Sequence, residues 1–174
     1  MLHKELSNEP VKDYEPNSKE RISLLEEYDR QSNEKIEIPI IIGGEKIYTN
    51  ITGTCIAPHD YNQILATYHK ADNETVNKAI KNSLETWKTW SNTPLEERTS
   101  IFRKAGDLLA NKWRDKINAA TMLNQSKNVY QAEIDSACEL IDFFNFNASF
   151  AENINNKQDL ISPCLLYTSD AADE

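Results

Sequence analysis

The sequence predicts an α+β domain in which an N-terminal arm and short helix are followed by two antiparallel β-hairpins and then at least three long helices. The first sign is a change of apolar period. Residues 36–70 carry β-branched runs and alternation, whereas from Asp72 onward the apolar residues recur every three or four positions. The second sign is punctuation: Gly43-Gly44 and Pro58-His59-Asp60-Tyr61 separate extended runs, and Thr93-Pro94 separates helical ones.

Residues 1–17 are polar and contain Pro10 and Pro16, which predicts an extended arm. Ser18 is placed to cap a helix running through Tyr28, with Ile22, Leu25 and Tyr28 as its buried stripe. The run from Ile36 to Ile42 reads as one strand. Gly43-Gly44 turns it back into Glu45-Lys46-Ile47-Tyr48-Thr49. A second hairpin joins Thr54-Cys55-Ile56-Ala57 to the strand from Gln63 to His69.

In the helix from Asp72, Val76, Ala79, Ile80, Leu84 and Trp87 share one face. For the next helix, Thr93 offers a capping hydroxyl, Pro94 suits the first helical position and Glu96 the third, with Ile101, Ala105, Leu108 and Leu109 on the buried side. A last helix is predicted from about Asn128 to Ala151, carrying Val129, Ala132, Ala137, Leu140, Ile141 and Phe144 inward. At about 100° per residue, Glu133 falls inside that stripe and Glu139 at its edge, so spacing alone selects Glu133 as the unusual buried acid.

The chain divides into 1–35 (arm and helix), 36–70 (hairpins), 72–163 (helices) and 164–174. The last eleven residues, Cys164 to Glu174, resemble the in-frame translation of a sequencing adapter. They are set apart from the fold, and the natural polypeptide is expected to continue past Pro163.

A net charge of -9 and the lack of a basic stripe argue against nucleic acid as a partner. No stretch is apolar for long enough to span a bilayer, and the first nine residues lack the apolar core of a signal peptide, so a cytoplasmic protein is expected. Cys55, Cys138 and Cys164 have no C-x-x-C spacing and read as free thiols, with Cys138 a packed side chain rather than a reactive thiolate. His3, His59 and His69 lack metal-ligand spacing, and no metal is expected. The four glycines, Gly43, Gly44, Gly53 and Gly106, cannot form a phosphate-cradling loop. Trp87 and Trp90, and Phe143, Phe144 and Phe146, read as packing residues.

The segment from Ala120 to Asn147, with Cys138-Glu139-Leu140-Ile141-Asp142-Phe143-Phe144 at its heart, resembles pyrroline-5-carboxylate dehydrogenases, the glutamate-semialdehyde branch of the α/β aldehyde-dehydrogenase-like superfamily. Asn8-Glu9-Pro10-Val11, Ile42-Gly43-Gly44-Glu45 and Trp90 to Arg98 extend the resemblance in the same order, over nearly all of residues 8–163.

The resemblance implies an NAD-dependent, homo-oligomeric enzyme whose small-molecule substrate is L-glutamate γ-semialdehyde. It also implies a catalytic cysteine and a water-activating glutamate that lie beyond Pro163, so that this stretch alone is inactive. One role carries over to a residue here: Glu139 matches a glutamate facing the substrate's α-amino group. The alternatives are a plain solvated charge at Glu139 and, for the whole chain, a dehydrogenase acting on another semialdehyde or a non-enzymatic interaction module.

Overall fold

The structure is a computed structural model that describes residues 6–157; the tail from Cys164 to Glu174 lies outside the described residues. Elements run in the order α1 (Lys19–Asn33), β1 (Ile36–Ile38), β2 (Ile40–Ile42), β3 (Glu45–Ile47), β4 (Thr52–Ala57), β5 (Asp60–His69), α2 (Asn73–Trp90), α3 (Leu95–Ala110), α4 (Arg114–Gln125) and α5 (Val129–Ala132). A π-helical turn (Glu133–Cys138) then leads into α6 (Glu139–Lys157).

Both expected hairpins form. Gly43 and Gly44 adopt φ of 60° and 83°, the positive pair that a two-residue turn needs to follow the strand twist, and Ile42 pairs with Glu45 across it. Between β4 and β5 the loop is Pro58-His59, with Ala57 opposite Asp60. The run Ile36–Ile42, however, is not one strand. Pro39 has no N–H for a ladder and splits it, so that β1 joins β5 in parallel, Ile36 beside Ala66, while β2 alone pairs with β3. The result is a three-stranded sheet, β1-β5-β4, and a separate two-stranded ribbon.

Helix starts follow local chemistry. The Ser18 hydroxyl accepts from the Arg21 amide at 3.3 Å, and Asp72 accepts from the Thr75 amide at 2.8 Å. Thr93 departs from expectation. Its hydroxyl donates back to the Thr89 carbonyl at 3.1 Å, Pro94 occupies the cap position, and α3 begins at Leu95.

The core lies where α1 and α4 pack together over the sheet. Leu24 meets Tyr14 and Ala119 in one cluster, and Leu123 of α4 meets Ala57 and Leu65 of the sheet in another, with Tyr28 touching both. Leu24, 2% exposed, is the residue that α1 buries, whereas Ile22 and Leu25 are half exposed. The sequence reading had no counterpart for α4, whose polar inner face of Arg114, Asn118 and Thr121 hides its period.

The face of α3 was also read one step off. Thr99, Arg103 and Gly106 meet α6, where Arg103 and Thr99 bind Glu152 at 2.5–2.7 Å and Gly106 leaves room for Asn145, while Ile101 and Leu108 stay exposed. The apolar ridge of α2 lines a shallow groove with Ile40 and Ile42, yet Val76, Ile80, Leu84 and Trp87 remain largely exposed. Trp90 and Phe143, expected to pack, are exposed as well. Phe144 packs against Phe102, and Phe146 against Phe150. No helix among the described residues is long and apolar enough to cross a membrane.

Truncating Leu24 to Ala is expected to destabilise the protein by about 2–5 kcal/mol, as for a buried leucine, whereas Leu25→Ala should change stability by less than about 1 kcal/mol. Urea denaturation of the two variants beside the parent measures the difference. Equal losses would restore the stripe read from spacing.

Candidate functional site

The helical stretch that carries Glu139 opens with a reciprocal cap: Asn128 accepts from the Gln131 amide at 2.9 Å, and Gln131 accepts from the Asn128 amide at 3.1 Å. Its start agrees with the sequence reading, but its course does not. At Glu133–Cys138 the helix widens, and the Glu139 amide bonds to the Ile134 carbonyl five residues back. One extra residue in that turn shifts everything downstream. Ala132 before the turn, Glu133, Ala137 and Cys138 within it, and Ile141 and Ala148 after it face inward; the expected Ala132, Ala137 and Ile141 are thus buried, whereas the predicted Leu140 and Phe144 are only half buried.

Glu133 is fully buried, the position that spacing selected. Its carboxylate accepts from the Tyr14 hydroxyl at 2.8 Å, the Lys12 amide at 2.9 Å, Asn118 Nδ2 at 2.7 Å and Arg114 Nε at 3.1 Å, and it forms an ion pair with Arg114 Nη2. Arg114, 2% exposed, also pairs with Glu9 and donates to the Pro10 carbonyl at 2.7 Å. Past the π turn, Asp142 takes the Glu9 amide at 2.7 Å and Asn8 Nδ2 at 2.8 Å. The arm expected to have little structure of its own is therefore anchored, through residues 8–14, to α4 and the π turn.

Burial alone would raise the Glu133 pKa, but the hydrogen bonds from Arg114, Lys12 and Tyr14 outweigh it and hold the carboxyl below its ordinary value. For Tyr14, burial and the Glu133 carboxylate both push the phenol upward. Cys138 is buried beside the same carboxylate, and its thiol is pushed up to about 11, chiefly by burial. Buried and with its thiol held toward the protonated form, Cys138 is a packed side chain, as expected.

Glu139, the first residue after the π turn, is exposed, and its carboxylate makes no hydrogen bond or ion pair with the other described residues. The structure does not bring it together with Cys138, which points inward. No cluster of His, Cys, Asp and Glu among the described residues could hold a metal ion. A dinucleotide has no cradle here either. Gly43 and Gly44 form a hairpin turn, Gly53 lies beneath the Tyr68 ring and Gly106 faces α6, so none of the four forms a phosphate-cradling loop.

Arg114 and its partnership with Glu9 escaped the sequence reading, because an arginine at a helix start gives no periodic signal and its partner lies 105 residues away.

Since the Glu133 carboxyl is held below its ordinary value of 4.5, the stability it contributes is present above that pH and lost as pH falls through the lowered folded-state value. The denaturation midpoint is expected to drop across that acid range, and less steeply in Glu133→Gln. Arg114→Met leaves the carboxylate buried and unpaired, and should cost about 3–5 kcal/mol at neutral pH. An acid limb in Glu133→Gln as steep as the parent's would remove Glu133 from this role.

The sequence profile of the aldehyde dehydrogenase family matches residues 49–168. A mitochondrial delta-1-pyrroline-5-carboxylate dehydrogenase of Dictyostelium discoideum is 41% identical over 151 residues, 87% of this chain and 27% of that protein. The delta-1-pyrroline-5-carboxylate dehydrogenase of Agaricus bisporus is 42% identical over 154 residues, 88% of this chain and 28% of that protein. Among solved structures, the Mycobacterium tuberculosis delta-pyrroline-5-carboxylate dehydrogenase bound with NAD superposes with a TM-score of 0.86 at 41% identity, over 90% of this chain and 30% of that one. The chain thus spans between a quarter and a third of the length of these relatives. Profile, sequence and fold agree, and the chain belongs to the aldehyde dehydrogenase family.

Proposed function

We propose that this chain is the N-terminal part of an NAD-dependent dehydrogenase that oxidises L-glutamate γ-semialdehyde, the open form of pyrroline-5-carboxylate, to L-glutamate in proline breakdown. The observation that carries the reading is the agreement in sequence and fold with pyrroline-5-carboxylate dehydrogenases over about nine-tenths of the chain. NAD enters from the Mycobacterium tuberculosis relative solved with it, and in the proposed enzyme it accepts the hydride. The described residues offer it no site. The nucleophile and the nucleotide cradle belong, on this reading, to the part of the protein that lies past them.

What these residues supply is recognition. Glu139 is the proposed contact for the substrate's ammonium group, because its carboxylate is exposed and uncommitted while its backbone sits on a helix anchored from both sides. A cytoplasmic location and self-association are part of the same proposal. Subcellular fractionation decides between the cytoplasm and the mitochondrion named for the Dictyostelium relative.

The 174-residue chain alone is expected to generate no NADH from glutamate semialdehyde. In the complete enzyme, Glu139→Gln should lower kcat/KM for glutamate semialdehyde by roughly one to two powers of ten, the worth of one charge-assisted hydrogen bond, and should affect much less an aldehyde of equal length without the amino group. Steady-state kinetics on both substrates provide the readout. Equal losses on both, or none, would reduce Glu139 to a surface charge. A stronger preference of the parent enzyme for another semialdehyde would overturn the substrate assignment.

A further inference from the structure

The π turn ends one residue before Glu139, and Arg114 touches both of its ends: it pairs with the Glu133 carboxylate, and its Nη2 lies 3.4 Å from Cys138 Sγ. A wide turn of this kind is an uncommon helical state that reverts to the α form unless its surroundings hold it. Here they do so from three directions. Arg114 and Asn118 reach Glu133 from α4, Lys12 and Tyr14 reach it from the arm, and the arm's Asn8 and Glu9 grip Asp142 on the far side of Glu139.

The direction of Glu139 depends on that turn. In an uninterrupted α-helix the inward stripe through Glu133 continues along Ala137, Leu140 and Phe144, three of the residues that the spacing places inward beside Ile141. The extra residue moves it to Ile141, Asn145 and Ala148, where Asn145 meets Gly106 of α3. Relative to the buried pair, Glu139 is thereby turned by about 100° around the helix axis. A rotation of that size carries a carboxylate several ångströms, more than a hydrogen bond to a fixed ammonium tolerates.

We propose that Arg114, acting with the arm contacts at Asp142, is a positioning residue for substrate recognition: by bridging Glu133 and Cys138 it keeps the π turn open and so aims the Glu139 carboxylate at the substrate's ammonium group. The proposal rests on the reading of Glu139 given above. It assigns Asn8, Glu9 and Pro10 a task at a distance, since they touch the helix at Asp142 and Cys138, on either side of Glu139, and leave the Glu139 carboxylate itself free.

The test uses the complete enzyme and reads the ratio of kcat/KM for glutamate semialdehyde to that for the equal-length aldehyde lacking the amino group. Arg114→Lys keeps the charge but loses the planar fork that reaches both ends of the turn. The ratio is expected to fall about tenfold in Arg114→Lys, and the double variant with Glu139→Gln should fall no further than Glu139→Gln alone. A merely structural role would lower activity on both aldehydes and leave the ratio unchanged, and that result overturns the proposal.

If Arg114→Lys does not accumulate as folded protein, Asp142→Asn, at a partly exposed position, is judged by the same ratio, with a fall of about threefold expected. If Glu139→Gln itself leaves the ratio unchanged, the reading of Glu139 fails first. A fall in Glu139→Gln with none in the positioning variants defeats this inference alone.

Discussion

A guanidinium and a carboxylate that leave water together must satisfy each other and every remaining donor and lone pair, or the loss of hydration outweighs their attraction. Arg114 and Glu133 meet that demand by drawing in four other parts of the chain. Asn118 comes from α4, Tyr14 and Lys12 from one end of the arm, Glu9 and Pro10 from the other, and Cys138 from the far side of the π turn. Most of what distinguishes the described residues from a plain pair of helices on a small sheet follows from this requirement. The arm is held down, α4 is turned so that its polar side faces inward, and the helix after it is forced to widen.

The sequence disclosed those elements whose causes are local. Turn glycines, capping oxygens and the change from one apolar period to another sit within a few residues of the structure they produce, and the hairpins, the start of α1, the start of α2 and the helix start near Asn128 all came out as read. It misled where the cause is distant. The choice of Leu24 over Leu25 on α1 depends on where Tyr14 and Ala119 lie, and the choice of Thr99 and Arg103 over Ile101 on α3 depends on Glu152. Pro39 was visible, but its meaning was not, because an edge strand that changes partners looks like one continuous β-branched run.

The acids show the same division. Periodicity identified Glu133 correctly as buried, since its surroundings on the helix are enough to show it, yet could not supply the arginine that makes burial tolerable. Family resemblance singled out Glu139, and periodicity alone would have passed over it. The structure gives the two residues different environments, one saturated with partners and one open, separated by a single turn of unusual width. A helix wheel drawn at constant pitch cannot represent that separation, because the pitch itself changes between them.

The span of these contacts also sets an order of events during synthesis. The Glu9 amide binds Asp142 across 133 residues, and the Tyr14 hydroxyl binds Glu133 across 119. At roughly 5–20 residues per second, the arm is made on the order of 6–27 seconds before its partners. Until then it can only wait as an unpaired polar strand, while the hairpins and the local part of α1 are free to form. Capture of the arm therefore waits for residues 133–142, which leaves residues 8–14 among the last of the described residues to become protected from proteases.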